Sequence, residues 1–390
     1  MSHLMNTYGR QAVGFVRGEG AWLWDAEGRR YLDALAGIAV NGLGHAHPRL
    51  VRAISQQAAR LIHVSNIYQV AEQEALATRI AQLSGMDRVF FCNSGAEANE
   101  AAIKLARLHG HQRGIENPTI IVMERAWHGR TLGTLSATGS AKAQAGFGPL
   151  VGGFIRVPYN DLAAIERVVE HHAEVVAVLL EPLQGEGGIR VADIEYQTAL
   201  HAFCKSKGLL YMIDEVQCGI GRTGSWFAFQ HTGVLPDVMT LAKGLGSGVP
   251  IGACVAAGAS ADIFKPGNHG TTFGGGPLVC AAALETLAVM EEDGLLTRAT
   301  VLGNQLMEGL RTALADVPGV LEVRGQGLMI GIELDRPCGV LVAKAIEAGL
   351  LINVTQDSVV RLLPPLILED EQAAEILRLL VPLIRDFLAA

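Results

Sequence analysis

Lysine is scarce in this chain of 390 residues: Lys104, Lys142, Lys205, Lys207, Lys243, Lys265 and Lys344 are all it has. Lysine and arginine together number 31 against 39 acidic residues, a formal net charge of -8. No block of like charge interrupts the chain. Such a balance gives a solvated acidic surface and argues against nucleic acid as a partner. The cysteines Cys92, Cys204, Cys218, Cys254, Cys280 and Cys338 are scattered, with no C-x-x-C pair. Neither a metal site nor a disulfide framework is expected. Residues 1–20 contain no apolar leader, and no apolar run is long enough to span a membrane; residues 350–354 fall far short. Repeats and low-complexity segments are missing too. These absences point to a soluble protein of a reducing cytoplasm.

What is present is apolar residues, at 49%, enough for a sizeable core and for one large domain with a smaller one. Short β-branched runs recur at 88–91, 119–123, 175–180, 209–213, 238–241 and 253–256. Amphipathic helical patterns at 97–108, 161–171 and 196–207 separate several of them. The alternation predicts an α/β fold with a mostly parallel, buried sheet. Residues 1–60 read as short antiparallel strands and then a helix after Pro48. Beyond about 276 come long helices, strands near 329–334 and 361–363, and a C-terminal helix. The expected division is a large domain over 61–275, with 1–60 and 276–390 folding together as a smaller α+β domain.

Three segments carry candidate chemistry. In Phe90-Phe-Cys-Asn-Ser-Gly-Ala-Glu-Ala-Asn-Glu100 a strand gives way to a helix. Ser94 and Glu97 have capping-box spacing, and Gly95 and Ala96 present bare N–H groups that suit a phosphate. An ordinary helix start would look the same. In Leu209-Leu-Tyr-Met-Ile-Asp-Glu-Val-Gln217 an acidic pair closes an apolar strand, where ligands of open α/β sheets bind. Asp214 there could hold a heterocyclic nitrogen protonated, bind a metal, or merely meet solvent. Lys243 ends an apolar strand before a glycine-rich turn. Apolar surroundings disfavour its ammonium form and free the amine for imine chemistry, whereas the plain alternative is a snorkelling strand-end lysine. Gly219–Gly224 matches G-x-G-x-x-G, which raises a nicotinamide oxidoreductase as a rival. The glycines do not follow the strand directly, however, and no acid ends a strand about 20 residues on. A non-enzymatic regulator is the other rival, and no basic or helix-turn-helix segment supports it.

These segments, together with Gly37-Ile-Ala-Val-Asn-Gly-Leu-Gly-His-Ala-His-Pro48, Trp127-His-Gly-Arg-Thr131, Glu181-Pro-Leu-Gln-Gly-Glu-Gly-Gly188, Gly270-Thr-Thr-Phe-Gly-Gly275 and Arg361-Leu-Leu-Pro-Pro365, resemble the class III aminotransferases of the ornithine/acetylornithine type. The resemblance covers nearly the whole chain. It implies the fold type I of pyridoxal 5'-phosphate (PLP) enzymes and a PLP cofactor. Lys243 is similar to the Schiff-base lysine, Asp214 to the pyridinium partner, and Gln217 to a contact of the phenolic oxygen. Gly95 and Ala96 resemble the phosphate cradle. Trp127 takes the ring-stacking position, where the family usually has Phe or Tyr. Thr272 resembles a phosphate ligand given to the neighbouring subunit, which implies a homodimer with shared sites, and Thr271 a substrate contact. Arg130 resembles the clamp for an acylornithine α-carboxylate. Arg361 resembles the receptor of 2-oxoglutarate, masked by Glu186 in the other half-reaction. Tyr8 is a loose match to a substrate-contacting tyrosine. The histidines, His128 among them, receive no role. The implied reaction is transamination of N2-acetyl-L-ornithine with 2-oxoglutarate in arginine biosynthesis. Succinylornithine, succinyldiaminopimelate, ornithine and 4-aminobutyrate are the alternatives.

Overall fold

A computed structural model describes residues 3–390. Its centre is a seven-stranded sheet in the order Arg88–Cys92, Gly252–Ala256, Val238–Leu241, Leu210–Asp214, Val175–Leu180, Thr119–Met123, Phe154–Val157. The five strands from Val238–Leu241 to Phe154–Val157 pair in parallel. Gly252–Ala256 runs antiparallel to both of its neighbours. The reason is the connection: residues 242–251 are too few for a helical crossover, which takes about a dozen residues or more. Phe154–Val157 lies at the sheet edge and was not anticipated, because Arg156 interrupts its apolar pattern.

The apolar runs became the interior. All residues of Val175–Leu180 and Thr119–Met123 are buried, as expected of strands covered on both faces. The helix Gly95–Gln112 lies against the sheet, burying Ala98, Ala101, Ala102, Ile103, Leu105 and Ala106. Gly110 permits its close approach, since a Cβ there would sit 2.7 Å from Pro118.

The two chain ends meet in a smaller sheet, where Leu350–Leu351 pairs in parallel with Arg30–Asp33. Another four-stranded sheet holds Val320–Gln326, Met329–Leu334, Val359–Leu362 and Asn353–Thr355 in that order. It sets Asn353 opposite Arg361 in register. The helices Pro277–Glu292 and Leu295–Leu314 follow the central sheet in sequence. Among the described residues no helix is long and apolar enough to cross a membrane.

Candidate active site

The strands Arg88–Cys92, Thr119–Met123, Val175–Leu180, Leu210–Asp214 and Val238–Leu241 end on one edge of the sheet. The loops leaving that edge enclose a cavity of about 420 Å³, large enough for a small cofactor. Ser94, Gly95, Ala96, Trp127, Arg130, Glu181, Asp214, Gln217 and Lys243 are among its walls.

The helix beside it begins as the spacing predicted. Ser94 Oγ accepts from the Glu97 N–H at 3.2 Å. The reciprocal half of the box is displaced by one residue: the Glu97 carboxylate accepts from the Asn93 N–H at 2.7 Å. As first residues of the helix, Gly95 and Ala96 have no intrahelical acceptor for their N–H groups. A Cβ at Gly95 would lie 2.6 Å from Val216 Cγ1, so the bare backbone is forced by packing.

Asp214 is buried and held on both oxygens. Oδ1 accepts from the Val216 N–H at 2.9 Å. Oδ2 accepts from Asn99 Nδ2 at 2.7 Å and from His128 Nδ1 at 2.8 Å. Asn99 is fixed in turn by the Thr240 hydroxyl, which donates to its Oδ1 at 2.8 Å. His128, given no role from the sequence, places its ring nitrogen against Asp214 and supports it. Asn99 and Thr240 were also overlooked, since a helix and two strands bring these residues together from distant parts of the chain.

Lys243 begins the turn after Val238–Leu241. Its backbone sits at φ 38°, a left-handed conformation that costs a non-glycine residue on the order of 1–3 kcal/mol. Its amine has no hydrogen-bond partner among the described residues. Burial pulls its pKa down, and Arg361 adds to the effect, against the opposing pull of Glu186, Asp214 and Glu181. Such a lysine has a share of free amine that a solvated one lacks.

Two arginines stand in opposite states. Arg130 is exposed at the cavity wall, with its guanidinium carbon 4.8 Å from the centroid of a Trp127 ring and no acidic partner among the described residues. Arg361 has no exposed surface. Its Nη1 donates to Glu186 Oε1 at 2.6 Å and to Gln217 Oε1 at 3.1 Å, and its Nε donates to Asn353 Oδ1 at 3.0 Å. Its Nη2 is buried without a partner. Burial works to raise the Glu186 carboxyl, but Arg361 and Lys243 outweigh it and hold its pKa below the usual range.

Glu181 closes Val175–Leu180 as Asp214 closes Leu210–Asp214, a strand-end signal in the sequence that went unused. Thr271 and Thr272 do not line the cavity: Thr271 Oγ1 accepts from Asn93 Nδ2 at 3.3 Å, and Thr272 is exposed. Tyr8 is 71% exposed and stands apart from the cavity. The G-x-G-x-x-G run opens no helix, so it lacks the form of a dinucleotide fingerprint. Its buried Arg222 donates to the Leu328 and Pro364 carbonyls instead.

The family model for class-III aminotransferases matches residues 5–384. The chain belongs to the class-III aminotransferases. Acetylornithine aminotransferase 1 of Bordetella bronchiseptica is 62% identical over 388 residues, spanning 100% of this chain and 99% of that protein. Acetylornithine aminotransferase of Nitrosomonas europaea is 58% identical over the same shares. Among solved structures, the ornithine aminotransferase of Toxoplasma gondii ME49 superposes with a TM-score of 0.95 at 35% identity, covering 99% of this chain and 93% of that one. The acetylornithine aminotransferase of Elizabethkingia anophelis gives 0.88 at 36%, covering 99% and 97%. Class-III aminotransferases are PLP enzymes of fold type I, and the cavity fits that cofactor. It offers a helix start stripped of side chains for a phosphate, a braced carboxylate for a ring nitrogen, and an unpartnered lysine for an aldehyde.

Proposed function

We propose that this protein moves the terminal amino group of N2-acetyl-L-ornithine to 2-oxoglutarate, giving N-acetyl-L-glutamate 5-semialdehyde and L-glutamate, as a cytoplasmic step of arginine biosynthesis. The observation that carries this reading is the pair of arginines in opposite states, one open at the wall and one covered by a carboxylate behind Gln217. One site then serves two unlike substrates. The relatives that match end to end, named acetylornithine aminotransferases, support the acetyl group as the acyl substituent.

PLP, when bound, supplies a protonated pyridine ring that takes up the electron pair left by a departing proton. Asp214 would hold the proton on the ring nitrogen, and its three hydrogen bonds keep the carboxylate in place. Gly95 and Ala96 would receive the phosphate, Trp127 the ring face and Gln217 the phenolic oxygen. The Lys243 amine would first bind the aldehyde and, once displaced by substrate, carry the proton to and from the reacting carbon. Arg130 would grip the α-carboxylate of the acylated diamine, a task suited to a planar fork. Glu186 covers Arg361 during that half-reaction and yields it to 2-oxoglutarate in the next. Exposed Thr272 and neighbouring Thr271 would complete the site of a second copy, which makes the working unit a homodimer. The large cofactor-binding domain would span 61–275.

Steady-state kinetics with 2-oxoglutarate test the assignment across N2-acetylornithine, N-succinylornithine, succinyldiaminopimelate, ornithine and 4-aminobutyrate. The highest kcat/KM is expected for N2-acetylornithine. A strong preference for 4-aminobutyrate would sink the acylornithine assignment.

A further inference from the structure

Glu181 is a buried carboxylate at the end of Val175–Leu180, and no part of the chemistry above uses it. Its oxygens reach in two directions. Oε1 accepts from the Trp127 N–H at 2.8 Å, on the loop that follows the neighbouring parallel strand Thr119–Met123. Oε2 accepts from the Gly185 N–H at 3.2 Å, in the turn of its own chain. The first loop carries Arg130, three residues beyond Trp127. The second carries Glu186, the residue after Gly185. Neither Trp127 nor Gly185 lies within a helix or strand; the turn of Gly185 and Glu186 joins the antiparallel pair Leu183–Gln184 and Arg190–Val191, and Thr355 and Gln356 donate to the Glu186 carbonyl.

The Glu181 backbone is itself anchored, because the Tyr159 hydroxyl donates to its carbonyl at 2.7 Å. Next to it, Gln184 Nε2 donates to the Glu124 carbonyl at 2.9 Å, a second tie between the same two loops. Burial and then the charge of Asp214 raise the pKa of the Glu181 carboxyl.

We propose that Glu181 is a positioning residue that spans the loop of Arg130 and the turn of Glu186, so that one carboxylate sets the placement of both substrate-carboxylate receptors. This rests on the acylornithine reading for the identity of the substrates. It predicts a joint effect: loosening Glu181 weakens the amino donor and the keto acid together, although Arg130 and Arg361 lie on different parts of the fold. A carboxylate with a purely structural role would alter stability and leave the two affinities unchanged.

The test uses Glu181→Ala and Glu181→Gln with two ligands that cannot react, the donor analogue on PLP-loaded protein and the keto-acid analogue on protein loaded with pyridoxamine phosphate. N-acetyl-L-norvaline keeps the α-carboxylate of the donor without its terminal amine, and glutarate keeps both carboxylates of the keto acid. Binding is followed by tryptophan fluorescence. In Glu181→Ala both dissociation constants should rise about tenfold or more, since displacement of positioning groups by about an ångström has effects of that order. In Glu181→Gln, which keeps one acceptor oxygen, both should rise about threefold, with cofactor content unchanged in both variants. A dissociation constant within twofold of wild type for either ligand in Glu181→Ala overturns the proposal. If that variant does not fold, the same result in Glu181→Gln overturns it. Loss of bound cofactor in both variants also overturns it, by assigning Glu181 to the cofactor instead. Wild-type turnover of N2-acetylornithine is measured in parallel. Its absence would remove the acylornithine reading while leaving the glutarate arm to judge Glu181.

Discussion

His128→Leu separates a residue that holds Asp214 from one that merely fills space. The substitution removes the Nδ1 donor 2.8 Å from Asp214 Oδ2. It leaves the Asn99 and Val216 donors in place. A hydrogen bond to a charged group contributes about 1.5–3 kcal/mol, and each 1.4 kcal/mol or so is a factor of ten in affinity. Affinity for PLP should therefore fall about 10- to 100-fold, and kcat should fall with it as the ring nitrogen loses its fixed partner. The fold should tolerate the change. Leucine has roughly the volume of histidine, and it also removes Nε2, which is buried without a partner. Titration of the apoprotein with PLP gives the affinity, and a thermal melt checks the fold. A dissociation constant and a kcat both within twofold of wild type, with an unchanged melt, would refute the support assigned to His128.

Further outcomes follow from the same geometry. Arg130→Ala should raise KM for N2-acetylornithine roughly 10- to 100-fold, the loss expected for a charged hydrogen-bonding fork, and leave KM for 2-oxoglutarate within a few-fold. Equal losses for both substrates would place Arg130 elsewhere in the cycle. Glu215 gives a pH signature in stability. It is buried, accepts from the Ala228 and Phe229 N–H groups, and burial pushes its pKa up to about 8 from an ordinary 4.5. A raised folded-state pKa means that the folded protein binds the extra proton. Its contribution is therefore complete below about 4.5 and is lost as pH rises through about 8. The melting temperature of wild type relative to Glu215→Gln should accordingly decline between pH 5 and pH 9 (roughly the window of that linkage); a rising or flat difference would contradict the assignment.

Much of the fold was legible because the central strands are uninterrupted apolar runs. Thr119–Met123, Val175–Leu180 and Val238–Leu241 begin and end where the sequence places them. The edge strand Phe154–Val157 escaped notice because the exposed Arg156, which donates to the Ser136 and Thr138 carbonyls, interrupts its apolar pattern. The antiparallel sense of Gly252–Ala256 depends on the length of one connection, which a strand pattern does not report. Within the site, Lys243, Asp214 and the Ser94 cap declare themselves by chain context, each at a junction of two elements. The groups that brace them do not. Asn99 reads as one more polar residue of a helix, yet the helix turns it inward onto a carboxylate 115 positions away. Glu181 and His128 likewise gain their meaning only from the neighbouring loops. Thr271 and Thr272 lie outside the cavity of their own chain.

The central claim is that Lys243, and no other lysine, bears the cofactor. Borohydride reduction of the PLP-loaded protein, followed by peptide mass spectrometry, tests it directly. The label should fall on the peptide containing Lys243 and vanish in Lys243→Ala, with the variant folded and its turnover lost. Label on any of the other six lysines, or turnover retained in Lys243→Ala, would contradict it.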